Sequence, residues 1–150
     1  MRTLFHISSQ PGRRRGARRG ASVLEFVLVI PILIMLGFGI VDYGYFFYVK
    51  NTVQGAAQSG ARAAISSIAL QSDVTTTVGN IMNAAGLQNS GYTVTTSPSD
   101  ITTASAGTTV SVTVKVNWSN VGLHTLSSGY GGISNSKVIT GAASMRKESN

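Results

Sequence analysis

Residues 18–30 read RRGASVLEFVLVI, and this stretch decides how the rest of the sequence is interpreted. It joins an arginine-rich tail to a long apolar run, in which a single acidic residue, Glu25, lies near the start. Residues 26–41 (FVLVIPILIMLGFGIV) then follow without one polar side chain. A helix that crosses a bilayer needs about 20 mostly apolar residues. The sequence therefore predicts a membrane span, and the carboxylate at its beginning needs a reason.

The positive charge of the chain is concentrated in its N-terminal tail. Residues 1–20 contain six arginines and no acid, so they carry six of the seven net positive charges of the 150-residue chain. Basic residues beside a span stay on the cytoplasmic side, so we expect a cytoplasmic N-terminus and an extracytoplasmic head from about residue 45. This topology explains the tail with fewer assumptions than nucleic-acid binding, and we expect no nucleic-acid partner.

Two other interpretations of the apolar run fit the residues less well. A cleaved secretory signal has an apolar region of about 7–15 residues that ends in small residues, whereas this run is longer and lacks such an end. A twin-arginine signal needs flanking residues that the arginine pairs here lack, and Glu25 interrupts its start. Pro31 lies inside the predicted helix and removes one backbone hydrogen bond. It predicts a kink, which is either harmless or a hinge.

Small residues continue the helical pattern beyond the span. Residues spaced four apart lie on one face of a helix, and the sequence contains two such series: Gly55, Ser59 and Ala63, and Ala56, Gly60 and Ala64. Faces of small residues let helices approach closely. Packing on partner helices and packing on this chain's own sheet are both consistent with the pattern.

The remaining sequence predicts a small α+β head. Residues 109–118 (TVSVTVKVNW) alternate apolar and polar side chains, which is the clearest strand pattern in the chain. The other predicted elements are a helix that is capped by Ser72 or Asp73 and runs to Leu87, strands at 92–96 and 137–145, and a Gly/Ser-rich loop before the last strand. The predicted fold is a long N-terminal transmembrane helix whose distal half packs on a small antiparallel sheet.

Residues that carry catalysis or bind metals are almost absent from the sequence. The chain has no cysteine, and its two histidines, His6 and His124, lie far apart in the tail and in the predicted loop. The acidic residues show no metal-ligand spacing, and no nucleophile motif accompanies the many serines and threonines. We therefore predict that the protein is not an enzyme and needs neither a metal nor another cofactor.

Four pieces of the sequence resemble the TadE-like family, the minor pilins or pseudopilins of the Tad (Flp) branch of type IV pilus systems. They are the basic leader ending in RRG, then ASVLEFVLVIPILIMLGFGIVDYGYFFY, the small-residue stretch AAQSGARAA, and GAASMRKE near the C-terminus. The resemblance covers residues 18–64 well and residues 141–148 loosely. Residues 70–140 contribute only their strand pattern.

The resemblance implies a reason for the acidic residue. Tad-type prepilins are cut by a prepilin peptidase after a glycine, with a glutamate five residues on and an aromatic residue next. The corresponding cut here lies between Gly20 and Ala21, with Glu25 and Phe26 in the recognition and assembly positions. In pilins, such a glutamate is thought to neutralise the N-terminal amine of an adjacent subunit. Major Flp pilins typically have tyrosine in place of Phe26 and a much smaller head, which favours a minor component.

The resemblance also implies how the chain is divided and where it works. Residues 1–20 would be the cleaved leader, residues 21–49 the transmembrane and assembly helix, and residues 50–150 the extracytoplasmic head. The expected partners are the bacterial inner membrane, the prepilin peptidase, other pilin or pseudopilin subunits and the Tad secretion machinery. The alternatives are a permanently signal-anchored binding protein that never enters a filament and, less well supported, a secreted enzyme with an unrecognised site.

Overall fold

The computed structural model describes residues 17–123 and 133–148, and the side chains from residue 23 onward. The elements are helix α1 (Ala17–Ala64), helix α2 (Gln71–Ala84), strand β1 (Thr93–Ser97), strand β2 (Thr109–Asn117), the short helix α3 (Trp118–Val121) and strand β3 (Val138–Arg146). The chain divides into two compact units, Met1–Leu36 and Gly37–Asn150. Both histidines of the sequence, His6 and His124, lie outside the described residues.

Helix α1 contains the apolar run and continues into the head. Its part from Val23 to Ala64 is the one helix among the described residues that is long and apolar enough to cross a membrane. The helix continues through Pro31. It ends at Ala64. The backbone N–H of Glu148 donates to the Ile65 carbonyl at 2.9 Å, so the C-terminal segment binds an acceptor that would otherwise extend the helix.

The three strands form an antiparallel sheet in the order β1-β2-β3. Every second residue of β2 points to the core, so Val110, Val112, Val114 and Val116 are buried while Lys115 and Asn117 are exposed. The predicted α+β fold is therefore confirmed. The strand boundaries differ from the prediction by one residue, and Trp118 begins α3 instead of ending β2, although its ring is still buried.

The distal half of α1 packs on this sheet, as predicted. Strand β3 approaches so closely that a Cβ added at Gly141 would lie 2.6 Å from the Val53 carbonyl oxygen. Gln54, the next residue of α1, also binds β3. Its side-chain N–H donates to the Ala142 carbonyl at 2.9 Å, and its side-chain oxygen accepts a hydrogen bond from the Ala142 N–H at 3.3 Å. A glutamine side chain thus takes the place of a neighbouring strand at the free edge of β3, which protects that edge.

The start of α2 differs from the prediction. The residue that precedes the helix is Leu70, not Ser72 or Asp73. Asp73 instead lies in the first turn, where its Oδ2 accepts the Leu70 N–H at 2.9 Å, and its negative charge favours the N-terminal end of the helix dipole. The helix ends at Ala84, three residues before the predicted Leu87, and Gly86 follows with the positive φ of 72° that favours glycine.

Candidate functional site

The predicted assembly residues lie near the start of α1. Gly20 and Ala21 are within the helix, and Glu25 follows Ala21 by four residues, so both positions are on one helix face. The side chains of Glu25 and Phe26 are exposed. The Glu25 carboxylate makes no hydrogen bond or ion pair with any residue of the described chain.

The apolar side chains around Glu25 are left unburied by the residues that the structure describes. The most apolar part of α1 is not buried at all by the rest of the described chain. Leu24, Phe26 and Leu28 are each more than 60% exposed. An apolar surface of this length needs lipid or other helices around it, because water would leave it unfavourably hydrated.

The two small-residue faces of α1 have different surroundings. Ala56 and Ala64 are fully buried in the head. A Cβ at Gly60 would lie 2.9 Å from Val78 Cγ2 of α2, so this face packs on the chain's own head. By contrast, a Cβ at Gly55 would meet no atom of the described chain within 4 Å.

Ser59 and Ala63 lie on the same face as Gly55, and both are half-buried. The structure therefore uses one small-residue face internally. It leaves Gly55 open to a close approach by another helix.

A buried acidic residue follows the apolar run and was not selected from the sequence. Asp42 is only 5% exposed, and its Oδ2 accepts the Ile133 N–H at 3.3 Å. Its Oδ1 is buried without a hydrogen-bond partner among the described residues. The sequence could have singled out Asp42, because it comes directly after residues 26–41. The first acid beyond an apolar run either faces water or is held by the fold. Here the fold holds it.

An aromatic cluster joins α1 to the end of the head that contains Trp118 and Ala85. The ring centroids of Phe46 and Trp118 are 5.4 Å apart at an angle of 72°, and those of Tyr45 and Trp118 are 6.0 Å apart. Tyr48 donates its hydroxyl hydrogen to the Ala85 carbonyl at 3.1 Å. Edge-to-face and tilted pairs of this kind add about 0.5–1.5 kcal/mol each beyond their buried area. The cluster fixes the end of the head that contains Trp118 on α1.

The described residues contain no group of three His, Asp or Glu side chains that could hold a metal ion. Two of the exposed acids of the head, Asp73 and Asp100, accept hydrogen bonds from nearby residues of the chain. Asp100, for example, accepts hydrogen bonds from the Thr102 hydroxyl at 2.6 Å and the Thr102 N–H at 2.9 Å. These bonds, supported by the charge of Lys147, lower the pKa of Asp100 from its ordinary value of 3.8.

Comparison with known proteins agrees with the motifs at the start of α1. Residues 20–62 match the family of TadE-like proteins, a stretch that covers less than a third of the chain. The match includes Glu25, Phe26, Gly55 and Gly60. No curated protein and no solved structure matches the chain. The predicted resemblance is thus confirmed for residues 20–62, and this matching stretch is called the TadE-like segment below.

Proposed function

We propose that the protein is a membrane-anchored, prepilin-like structural subunit that serves as a minor pilin or pseudopilin in a Tad-type pilus system, and that it is not an enzyme. The observation that carries the proposal is the Glu25 carboxylate, which is exposed at the start of an apolar helix and has no partner among the side chains that the structure describes. That helix belongs to the TadE-like segment. The proposal explains the basic leader, the apolar helix and the lone acid together.

The first step is processing of the leader. The basic tail holds residues 1–20 in the cytoplasm, and a prepilin peptidase cuts between Gly20 and Ala21 at the membrane surface. The cut releases the tail and leaves a new α-amino group four residues before Glu25. Residues 21–49 then anchor the chain in the bacterial inner membrane, and residues 50–150 form the head outside it.

The second step is assembly, in which Glu25 meets the amine of a neighbouring subunit. An acid at the centre of a membrane helix costs about 2.5–3.5 kcal/mol on insertion scales, so a helix without a use for the charge would be better served by leucine. An ammonium partner offsets part of the desolvation of both groups, provided that neither is left alone. The partners are other pilin or pseudopilin subunits and the Tad secretion machinery, and the product is a filament or its tip that attaches cells to surfaces.

The test is the variant Glu25→Ala, followed by two measurements on the same cells. We expect normal cleavage and membrane insertion, because the peptidase reads chiefly Gly20 and lipid accepts alanine. We also expect loss of co-purification with sheared filaments or partner pilins. Leu28→Ala is the matched control, since Leu28 is 68% exposed on the same helix and also loses most of its side chain.

Normal incorporation of Glu25→Ala would contradict the pairing role. A wild-type chain that keeps its leader in the presence of the peptidase would instead favour the permanently anchored binding protein.

A further inference from the structure

The three strands turn one face away from α1, and this outer face is polar. Side chains alternate along a strand, so the outward positions are those between the buried ones. None of the three strands contains an acid, and their two basic residues, Lys115 and Arg146, both point outward and are exposed. Most other outward side chains are Ser or Thr, and Val138 is the one large apolar side chain among them. The strands therefore present hydroxyls and positive charge on their outer face.

Lys115 lies in a cleft of this outer face. The pairing of the strands places Thr93 and Thr140 directly beside it, one on each neighbouring strand. The cleft has a volume of about 380 Å³, and Gly91, Asn117 and Val138 complete its lining. The Lys115 ammonium and the two threonine hydroxyls make no hydrogen bond or ion pair with any other residue that the structure describes. One ammonium and two hydroxyls thus line the same cleft without a partner in the described chain.

Both rims of the cleft are fixed by hydrogen bonds. On the β1 side, the Asn120 side chain donates to the Ser90 carbonyl at 2.9 Å, directly before Gly91 with its positive φ of 63°. On the β3 side, the Lys137 carbonyl accepts the Trp118 N–H at 2.8 Å. The floor is the sheet itself, whose opposite face is packed in the core. A site that is ordered before its ligand arrives loses less free energy to ordering on binding.

The charge of the cleft matches a carboxylate. Lys115 is the one charged residue among those that line it, and a carboxylate carries one negative charge at neutral pH. A doubly charged phosphate would keep one charge without a partner there. A hydrogen bond between an ammonium and a carboxylate is roughly twice as strong as one between neutral groups. The cleft therefore favours a ligand with a single carboxylate at this point.

The other lining groups match a sugar better than a protein. The buried centre of a protein interface is rich in apolar and aromatic side chains, whereas Val138 is the one apolar side chain among the lining residues. A sugar ring has several hydroxyls, which can exchange hydrogen bonds with Thr93, Thr140 and Asn117. Pockets for small ligands have volumes of about 300–1,000 Å³. The cleft is at the small end of this range, which suits a single sugar ring with its substituents.

We propose that the cleft binds a carboxylated sugar residue, a uronic acid, within an acidic polysaccharide. The Lys115 ammonium donates to the carboxylate, and Thr93, Thr140 and Asn117 bind the hydroxyls of the ring. Val138 contacts the less polar face of the ring. The head would thereby hold an acidic polysaccharide of a cell or surface coat. The inference goes beyond the proposed function, because it holds whether or not the chain is processed or built into a filament.

The test follows the melting of the full chain in detergent, with Trp118 as the reporter. Trp118 is the only tryptophan in the sequence and is 1% exposed in the head core, so its fluorescence reports unfolding of the head. A ligand that binds only the folded head raises its melting temperature. The probe is trigalacturonate, and its fully methyl-esterified form has the same rings without the charges. We expect the acidic trimer to raise the melting temperature as its concentration increases, and the ester to leave it unchanged.

Two matched variants locate the binding site. Lys115→Met and Lys50→Met each remove an exposed lysine, but Lys50 lies on α1 and does not line the cleft. Loss of hydrogen bonds to a charged group typically weakens binding about ten-fold or more. We therefore expect Lys115→Met to need about ten times more trimer for the same shift, and Lys50→Met to respond as the wild type does. Both variants keep the arginines of residues 1–20, so binding of the trimer to the tail is common to every comparison.

The remaining outcomes would each overturn the proposal. An unchanged melting temperature with the acidic trimer, or an equal shift with the ester, would refute a site for a carboxylated sugar. An equal response of Lys115→Met and the wild type would place the binding outside the cleft. An equal shift with sulfate or phosphate would reduce the cleft to a general anion site, and an equal shift with triglutamate would assign it to an acidic peptide. The proposed pilin role is unaffected by any of these results, because Glu25→Ala tests it separately.

Discussion

Gly141 of β3 and Val53 of α1 meet backbone to backbone, with room for only a hydrogen atom between them. A Cβ at position 141 would lie 2.6 Å from the Val53 carbonyl oxygen and 2.7 Å from the Gln54 nitrogen. These are backbone atoms, so a side chain cannot move aside to make space. The contact joins the helix that carries the TadE-like segment to the sheet of the head.

Gly141→Ala should therefore destabilise the head. Overpacking of a well-packed contact typically costs about 1–3 kcal/mol, and this one involves two rigid elements. We expect a lower melting temperature, measured by Trp118 fluorescence of the full chain in detergent. Thr140→Ala, at the exposed neighbouring position, is the control and should change the melting temperature little. An unchanged melting temperature for Gly141→Ala would show that the helix and sheet are less tightly joined than the structure describes.

The fold was predictable wherever a local pattern decided it. The alternation in β2 buries four valines on one face, and the apolar run can only be a long helix, so both elements were predicted within a few residues. The contact at Gly141 was not predictable, because it depends on how closely α1 and β3 approach each other. These elements are far apart in sequence: Gln54 and Ala142, which are hydrogen-bonded beside this contact, are separated by 88 residues. A glycine in a strand suggests a close approach but does not name its partner.

The sequence could suggest only the N-terminal part of the candidate site. Glu25 and Phe26 belong to a local motif, and the family match confirms the segment that contains them. The surroundings of Asp42 and Lys115 come from tertiary structure: Asp42 binds the N–H of Ile133, and Lys115 lies between threonines of two other strands. Sequence spacing alone cannot indicate such neighbours, since each pair is brought together by the sheet or by the packing of α1.

The two glycines of the small-residue faces should respond oppositely to alanine. Gly55→Ala should raise the free energy of unfolding by up to about 1 kcal/mol, because alanine is the better helix former and no atom lies within 4 Å of the added Cβ. Gly60→Ala gains the same propensity but places its Cβ 2.9 Å from Val78 Cγ2 and 3.2 Å from Val112 Cγ1, so we expect a net loss. Thermal or denaturant unfolding of both variants measures the difference.

Gly55 also allows a test of helix packing between subunits. We expect Gly55→Leu to keep the head folded, because an added Cβ meets no described atom within 4 Å, and to block a close approach by another helix. If the face of Gly55, Ser59 and Ala63 packs on a partner, this variant should lose co-purification with partner pilins while its melting temperature stays at or above that of the wild type. Normal co-purification would remove this face from the assembly surface.

Asp42 should respond differently to the loss of its charge and to the loss of its side chain. Asp42→Asn keeps an oxygen that can accept the Ile133 N–H and removes a buried charge whose Oδ1 has no described partner, so we expect an equal or higher melting temperature. Asp42→Ala leaves the half-buried N–H without its acceptor, which typically costs about 1–3 kcal/mol. A large loss of stability in Asp42→Asn would show that the charge itself is paired, and would point to a cation that binds there.

The acid stability of the head should depend on Asp100. Its pKa is lowered in the folded state, first by the hydrogen bond from the Thr102 hydroxyl, so the ionised carboxylate stabilises the fold. This contribution is complete above the ordinary value of 3.8 and is lost as the pH falls below it through the lowered folded pKa. Asp100→Asn should thus have a lower melting temperature than the wild type at neutral pH, and the difference should shrink in acid. A difference that stays constant with pH would assign the effect to something other than ionisation.

The most direct test of the account is the N-terminal sequence of the protein extracted from membranes of cells that contain the prepilin peptidase. The account predicts that the chain begins at Ala21, and that Gly20→Val leaves the full-length chain in the membrane. A wild-type chain that still begins at Met1 or Arg2 would contradict the account, because Glu25 would then have no free amine at position 21 to meet in a neighbouring subunit.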